Sequence, residues 1–335
     1  MKFHWGLIHY FSAKKLVNAT LVLLSFYSSR FRKSPKMRGM PISLSIEPTT
    51  SCNLRCPQCP SGLRSFTRAT GMLDNELFRQ IIDEQSATLL YLTFYFQGEP
   101  FLNPSFFEMV NYAHRKKIYV STSTNAHYLN KENAEKTVKS GLDKLIISLD
   151  GITQQSYQKY RVGGNLDAVL AGIDTICQAK KELKSAAPHV IVQFIIFKHN
   201  ENEIADIIQR FSKTDVELQL KTAQIYDYEN GSDLIPENEN FSRYNSNGNA
   251  MYSIKNQHFN HCWKMWHSSV ITWNGKIVPC CFDKDAHYQL GDIQNNSFAT
   301  VWKSIAYNNF RKQLLTNRKE IDICKNCTEG SRIYI

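Results

Sequence analysis

From residue 42 onward the chain alternates short β-branched and aromatic runs with longer amphipathic stretches, and this rhythm constrains the fold more than any other feature. The runs at 42–47, 89–96, 118–122, 145–149, 190–197 and 216–220 read as strands. Helices are expected at 74–86, 104–116, 131–140, 165–184 and 201–212, with Asp74, Asn103 before Pro104, and Asn130 as caps. Parallel neighbours need a crossover, and a helix between each pair supplies one. Six such units predict an α/β fold, a partial (βα)6 TIM-like barrel over 42–225.

The rhythm then stops. Residues 226–260 are rich in Asn, Ser, Glu, Tyr and Gly without periodicity, and read as a long connection or lid. Residues 261–335 hold two short strands, 270–273 and 276–278, around the turn Asn274-Gly275, one helix near 297–315, and five of the nine cysteines. So short a segment has little room for its own apolar core, and bound metal would help to hold it.

The formal net charge of +10 is concentrated at one end. Residues 1–38 carry eight basic side chains (Lys2, Lys14, Lys15, Arg30, Arg32, Lys33, Lys36 and Arg38) and no acidic one. The body is nearly neutral and has no recognition-helix pattern or basic-aromatic stripe, which argues against a metal-dependent nucleic-acid-binding regulator and for no nucleic-acid partner. The apolar run at 16–27 is too short to span a bilayer and lacks a clear cleavage site. Within residues 1–41, Leu16, Thr20, Leu23, Leu24 and Tyr27 share one helical face, preceded by Trp5, Leu7, Ile8, Tyr10 and Phe11. Two readings stand: a basic amphipathic helix lying in a membrane interface, or a helix packed on the body with its charges solvated.

Nine cysteines are too few for a disulfide scaffold of 335 residues, and an odd number cannot all pair. They read as metal ligands in a reducing compartment, which places the chain in the cytoplasm, peripheral to the inner face of the membrane if the interfacial reading holds. Immediately after the first strand stands Cys52-Asn-Leu-Arg-Cys56-Pro-Gln-Cys59. Loops that follow barrel strands form the face where active sites are built. Three thiolates can hold a cuboidal iron-sulfur cluster and leave one iron open; a three-thiolate zinc site is the alternative.

The spacing C-x3-C-x2-C after the first strand of a (βα)6 barrel resembles the radical S-adenosylmethionine (AdoMet) enzymes. That resemblance implies a 4Fe-4S cluster on Cys52, Cys56 and Cys59 whose open iron chelates AdoMet, and cleavage of the sulfonium to a 5′-deoxyadenosyl radical that abstracts hydrogen. It extends along the strand ends. Gln97-Gly98-Glu99-Pro100 is similar to the family's Gly-Gly-Glu-Pro, with Gln97 for the first glycine, and implies Gly98 and Glu99 at the AdoMet ammonium. Asn125-Ala126 resembles Thr-Asn-Gly, with Asn125 on the ribose side. Ser148-Leu-Asp150-Gly151 with Arg161 resembles the Ser-Leu-Asp-Gly strand end and downstream arginine, which implies Ser148 and Arg161 at the AdoMet carboxylate with Asp150 beside them. Phe194 or Ile195 would line the adenine.

The C-terminal pattern Cys262-x12-Gly275-x4-Cys280, with Cys324 and Cys327 later, resembles the SPASM/Twitch extension and implies a second, auxiliary 4Fe-4S cluster on those four cysteines. A four-cysteine zinc site is the alternative on spacing alone. Cys281 would be a spare or a replacement ligand, and Cys177 a buried apolar residue. The arrangement looks most like the single-auxiliary-cluster members that dehydrogenate a cyclitol alcohol and pass one electron to the second cluster. Lys221, with Gln224 and Asp227 beyond it, is the expected catalytic group near the reacting carbon. The substrate would be a sugar, cyclitol or lipid-linked small molecule, and the electron donor a reductant such as flavodoxin or ferredoxin. A ribosomal-peptide maturase is the competing enzyme reading, against which residues 1–41 are short for a leader-binding domain.

Overall fold

The computed structural model describes residues 9–248, 251–256 and 259–330. Trp5, Leu7 and Ile8 of the expected interfacial segment lie outside them. A helix, α1 (Ala13–Arg32), comes first, and then six parallel strands in chain order: β1 (Ser43–Ile46), β2 (Tyr91–Thr93), β3 (Tyr119–Thr124), β4 (Lys144–Ser148), β5 (His189–Ile196) and β6 (Glu217–Thr222). All six expected runs are strands. Between them lie α2 (Pro60–Leu63), α3 (Asn75–Gln85), α4 (Phe106–Arg115), α5 (Lys131–Lys139), α6 (Gln154–Tyr160), α7 (Leu166–Glu182) and α8 (Ile204–Phe211). The barrel helices bury residues at spacings of three and four: Phe78, Ile81 and Ile82 in α3, and Phe106, Met109, Val110 and Ala113 in α4.

Local chemistry explains most of the boundaries. The Asp74 carboxylate accepts from the Glu76 and Leu77 amides, and Asn130 accepts from the Asn133 amide, so both cap as expected. Asn103 does not. Ser105 takes the N-cap position of α4, and the buried Asn103 amide instead donates to the Pro48 and Leu73 carbonyls at 2.8 and 3.1 Å while accepting from Ser105 N. A buried amide that meets three partners is worth more to the fold than one cap at a helix end. Helix α6 was not expected. Its seven residues are too few to show a period, and a Thr153–Ser156 capping box starts it.

Residues 226–260 are more structured than their composition suggests. They contain a hairpin, β7 (Tyr244–Ser246) with β8 (Tyr252–Ile254), and Tyr244 stacks on Tyr228 with ring centroids 4.6 Å apart. The Tyr244 hydroxyl accepts from Ile225 N at 2.8 Å and donates to Asn326 at 3.0 Å. This connection is therefore tied to both of its neighbours.

The C-terminal segment continues the barrel sheet. After α9 (Lys264–His267), β9 (Ser268–Ile271) pairs in parallel with β1, β10 (Lys276–Val278) pairs antiparallel with β9, and β11 (Gly291–Asp292) closes the edge. One nine-stranded sheet results, in the order β11-β10-β9-β1-β2-β3-β4-β5-β6. The expected single helix near 297–315 is two, α10 (Phe298–Trp302) and α11 (Ile305–Asn317), because Ser304 restarts the second by accepting from Tyr307 N. A last short helix, α12 (Asp322–Lys325), precedes Cys327. Trp263, Trp266, Trp302 and Phe310 belong to the same apolar core as the barrel. Packing, rather than metal alone, holds this segment.

Helix α1 reconciles parts of both N-terminal readings. Val22 and Phe26 are buried, and Phe26 meets Trp263 and Trp266 edge-on at 5.3 and 5.5 Å. Asn18 exchanges hydrogen bonds with the Met40 backbone at 2.8 and 2.9 Å, and the Lys15 amine is buried against the Lys117 carbonyl. The opposite face keeps Leu16, Val17, Leu24 and Tyr27 half exposed or more, and Phe31 is 90% exposed. Among the described residues no helix is long and apolar enough to cross a membrane.

Candidate active site

The loop after β1 is held at its root by Glu47. Its buried carboxylate takes two bonds from the Arg68 guanidinium, at 2.9 and 2.6 Å, and one from Trp273 N. Beyond it, Cys52, Cys56 and Cys59 are free thiols, and Gly62 of α2 lies so close to the Cys56 backbone that a Cβ there would meet its nitrogen at 2.5 Å. The loop is thus wound tightly around its own cysteines.

Each thiol is met by a residue from a different part of the barrel. Asn125, just past β3, donates to Cys52 Sγ at 3.8 Å and to Asn53 at 2.7 Å. Arg161, just past α6, donates to Cys56 Sγ at 3.8 Å. Cys59 Sγ lies 3.8 Å from Gln97 Oε1, beyond β2. Gln97 therefore does more than replace a glycine. The close approach falls to Gly98, whose φ of +73° and lack of Cβ admit the Thr49 and Ser51 carbonyls.

The carboxylates behind this ring are already engaged. Glu99 accepts from Thr124 Oγ1 at 2.8 Å, Asn125 N at 2.7 Å and Phe101 N at 3.2 Å. Burial pushes its carboxyl up to about 6, against those hydrogen bonds. Asp150 is fully buried, pairs with Arg161 Nε at 2.5 Å and accepts from Ile195 N at 2.8 Å. Asp150 thereby aims Arg161 at the cysteine loop and leaves some of its five N–H donors unused. Ser148 is half-buried at the end of β4, opposite Gln193 in the ladder. Of the two residues expected at an adenine, Phe194 is fully buried in the main core, whereas Ile195 packs against the separate cluster that includes Leu54, Cys56 and Tyr160 and that Cys52 and Cys59 also border. The period of two along a strand sends neighbours to opposite faces, so Ile195 and not Phe194 lies on the side of the cysteine loop.

A second group of thiols lies in the C-terminal segment. Cys262, Cys324 and Cys327 are buried and Cys280 is half-buried. Burial raises all four thiols, Cys324 to about 12 and Cys327 to about 11; neighbouring thiols raise Cys280, Cys324 and Cys327 further, whereas Arg318 and Lys264 pull Cys262 back down. Arg318 closes over them, donating to Cys327 Sγ at 3.4 Å and to the His261 carbonyl at 3.1 Å. Cys281 packs against Val270, Val278 and Ala286, with Lys264 Nζ 3.8 Å from its sulfur, and lies near enough to Cys280 to raise that thiol further. Cys177 is half-buried on α7.

Among the described residues no three His, Cys, Asp or Glu side chains meet closely enough for a single metal ion. The fit to iron and sulfide rests on donor chemistry: three thiols on one loop, four more in the C-terminal segment, and no disulfide using any of them. Lys221 is exposed on β6, within reach of the Glu329 carboxylate's field. Sequence reasoning missed Lys264, Lys284, Arg243, Tyr226 and Arg318, and read Gln97 only as a replaced glycine. Lys264 and Lys284 lie two and three residues from cysteines, a signal that could have drawn notice; Arg243 and Tyr226 sit in the aperiodic connection and gave none.

A partial βα barrel with three free thiols on the loop beyond its first strand is the arrangement of an iron-sulfur enzyme of the radical AdoMet class. Comparison with known proteins agrees: residues 46–211 match the radical SAM superfamily model, and residues 262–328 match that of the iron-sulfur cluster-binding SPASM domain. The chain belongs to the radical SAM superfamily and carries a SPASM domain, and with them the family's 4Fe-4S cluster, S-adenosylmethionine and auxiliary iron-sulfur binding.

Among its relatives is the tungsten-containing aldehyde ferredoxin oxidoreductase cofactor-modifying protein of Pyrococcus furiosus, 24% identical over 315 residues, which are 85% of this chain and 86% of that protein. The mycofactocin maturase MftC of Mycobacterium tuberculosis is 32% identical over 144 residues, but these are 42% of this chain and only 36% of the maturase. The subtilosin biosynthesis protein AlbA of Bacillus subtilis is 24% identical over 281 residues, 79% of this chain and 60% of AlbA. Two solved structures share the fold. BtrN in complex with AdoMet and 2-DOIA superposes with a TM-score of 0.56 at 19% identity, covering 88% of this chain and 96% of BtrN. Native anSMEcpe with bound AdoMet gives 0.62 at 18% identity, covering 86% of each chain.

Proposed function

We propose that the chain oxidises an alcohol carbon of a sugar, a cyclitol or a lipid-linked small molecule, with the auxiliary cluster taking the second electron. The observation that carries this reading is the C-terminal group of thiols: Cys262, Cys280, Cys324 and Cys327 are enough to hold all four irons of one cluster, with Cys281 beside Cys280 and 3.8 Å from Lys264 Nζ. A centre without a vacant corner suits electron uptake better than substrate ligation. The likeness to BtrN, which spans nearly that whole protein, supports it.

In this reading Cys52, Cys56 and Cys59 hold the first cluster. When bound, the cluster and AdoMet together supply a carbon radical able to abstract hydrogen. The chain's part is positioning. Arg161, oriented by Asp150, and Ser148 receive the AdoMet carboxylate, Gly98 and Glu99 its ammonium, and Asn125 its ribose side. Lys221 supplies the hydrogen-bonding or proton-accepting group beside the oxidised carbon. The test is anaerobic reconstitution followed by dithionite. Expected are about eight irons per chain and 5′-deoxyadenosine formation; zinc without cleavage would reject the reading. Peptide modification is the second reading, favoured by AlbA, by MftC and by the anSMEcpe structure with a bound peptide. Product analysis against a peptide and a polyol panel separates the two.

The same proposal places the chain at an anionic membrane surface. Leu16, Val17, Leu24, Tyr27 and Phe31 form an exposed apolar stripe on α1 in a stretch with eight cations and no acid. Sedimentation with anionic but not neutral vesicles at low salt, weakened in Phe31→Glu, is the expected result. No binding to either vesicle overturns this part.

A further inference from the structure

The barrel mouth and the C-terminal segment face each other across a group of cations that no part of the radical chemistry above uses. Tyr226 joins the cysteine loop through its amide, which donates to Gln58 Oε1 at 2.9 Å. Lys284 Nζ sits 4.7 Å from the centroid of the Tyr226 ring, near enough to Cys59 and Cys281 to feel the charge of both. Protein surrounds Lys284, yet its side chain keeps some exposure, as expected for the wall of a recess. Lys264 reaches the same region, 3.8 Å from Cys281 Sγ, and pairs with Glu329.

Arg243 completes the group. Its Nε is anchored at the end of β6, donating to Thr222 Oγ1 at 3.0 Å and to the Thr222 carbonyl at 3.2 Å. Its Nη1 is buried and has no hydrogen-bond partner. A guanidinium nitrogen in that position costs free energy unless something completes it. Glu329 pairs with Lys264, and Arg243 and Lys221 lie close enough to act on the same carboxylate. The Arg243 Nη1 atom is the one buried donor of this group left without a hydrogen-bond acceptor among the described residues.

We propose that this recess grips an oxyanion of the substrate, a phosphate ester in preference to a lone carboxylate, through Lys284, Arg243 and Lys264. Two point-charge ammoniums and one directed guanidinium approach from different elements, which suits a tetrahedral dianion. The anion would sit between the two cysteine groups and so present the rest of the substrate to the barrel mouth. This inference deepens the dehydrogenase reading and rests on it for the location of the reacting carbon.

The test uses the reconstituted full chain without dithionite, whose oxidation products are themselves oxyanions. Thermal midpoint is followed against inorganic phosphate, with chloride holding ionic strength constant. A saturable phosphate-specific rise is expected, with apparent affinity falling about tenfold in Lys284→Met and largely kept in Lys284→Arg. Arg243→Lys, which keeps charge but loses the fork, reads the same affinity if Lys284→Met does not fold, and a severalfold loss is expected. A short-chain phosphatidic acid below its micellar range is the second probe. Tighter binding than phosphate points to a lipid phosphate and equal binding to a water-soluble ester, and both support the proposal. No phosphate effect on the unmodified chain, or an equal effect in Lys284→Met (an adventitious ion only), overturns it. A Lys284→Met change confined to the cluster midpoint potentials also overturns it, since the cations would then serve the clusters. AdoMet cleavage on the same preparation is read separately: its loss removes the dehydrogenase reading, whereas cleavage without phosphate binding removes only the oxyanion.

Discussion

The two groups of cysteines are built in opposite ways. The first takes Cys52, Cys56 and Cys59 from eight consecutive residues and then surrounds them with Asn125, Arg161 and Gln97 from three other places in the barrel. The second takes its thiols from three separated stretches and is covered by Arg318, bonded to the local backbone. In the first, the ligands are local and the environment is long-range; in the second, the ligands themselves depend on the fold. The first group should therefore matter to chemistry more than to stability, and the second to both.

The most severe test of that contrast is Cys56→Ser. AdoMet cleavage should fall below detection and iron drop by about four per chain, while the thermal midpoint of the metal-free protein stays put. A large loss of metal-free stability would erase the distinction. Next is Arg161→Met, which strands the buried Asp150 carboxylate. Removing one partner of such a pair costs about 3–5 kcal/mol, read by denaturant unfolding, and AdoMet binding should weaken with it. Lys221→Met should be milder: substrate oxidation falls while 5′-deoxyadenosine still forms without substrate, so the two rates part company.

The smallest effect concerns acid stability of the second region. Burial drives the His267 imidazole down to about 3, and Lys264 pushes the same way. The unfolded chain takes up a proton near pH 6.5 that the native chain refuses, so stability is lost as pH falls from about 6.5 toward 3. The slope is up to about 1.4 kcal/mol per pH unit. His267→Phe should flatten that slope in urea titrations at successive pH values. An unchanged slope would mean that His267 does not titrate in this way.

What could be read from the residues alone follows the same division. The six strands and the first cysteine loop were legible because period and spacing are local properties. Ile195 against Phe194 needed the register of β5, and Asn103 was mistaken for a cap because its true partners, Pro48 and Leu73, are far away in sequence. The parallel pairing of β9 with β1 joins residues more than 220 positions apart, as does the placing of Trp263 and Trp266 in the barrel core. No periodicity announces such contacts. Lys284, Arg243 and Tyr226 were invisible for that reason.

That pairing of β9 with β1 has a consequence for how the molecule tolerates change. The strand leading into the first cysteine loop and the strand following Cys262 are adjacent rungs of one ladder, from Ser43 opposite Ser268 to Ile46 opposite Ile271. Insertions in the 226–260 connection can change its length without moving the root of the first cysteine loop relative to Cys262, because the ladder and not the connection sets that spacing.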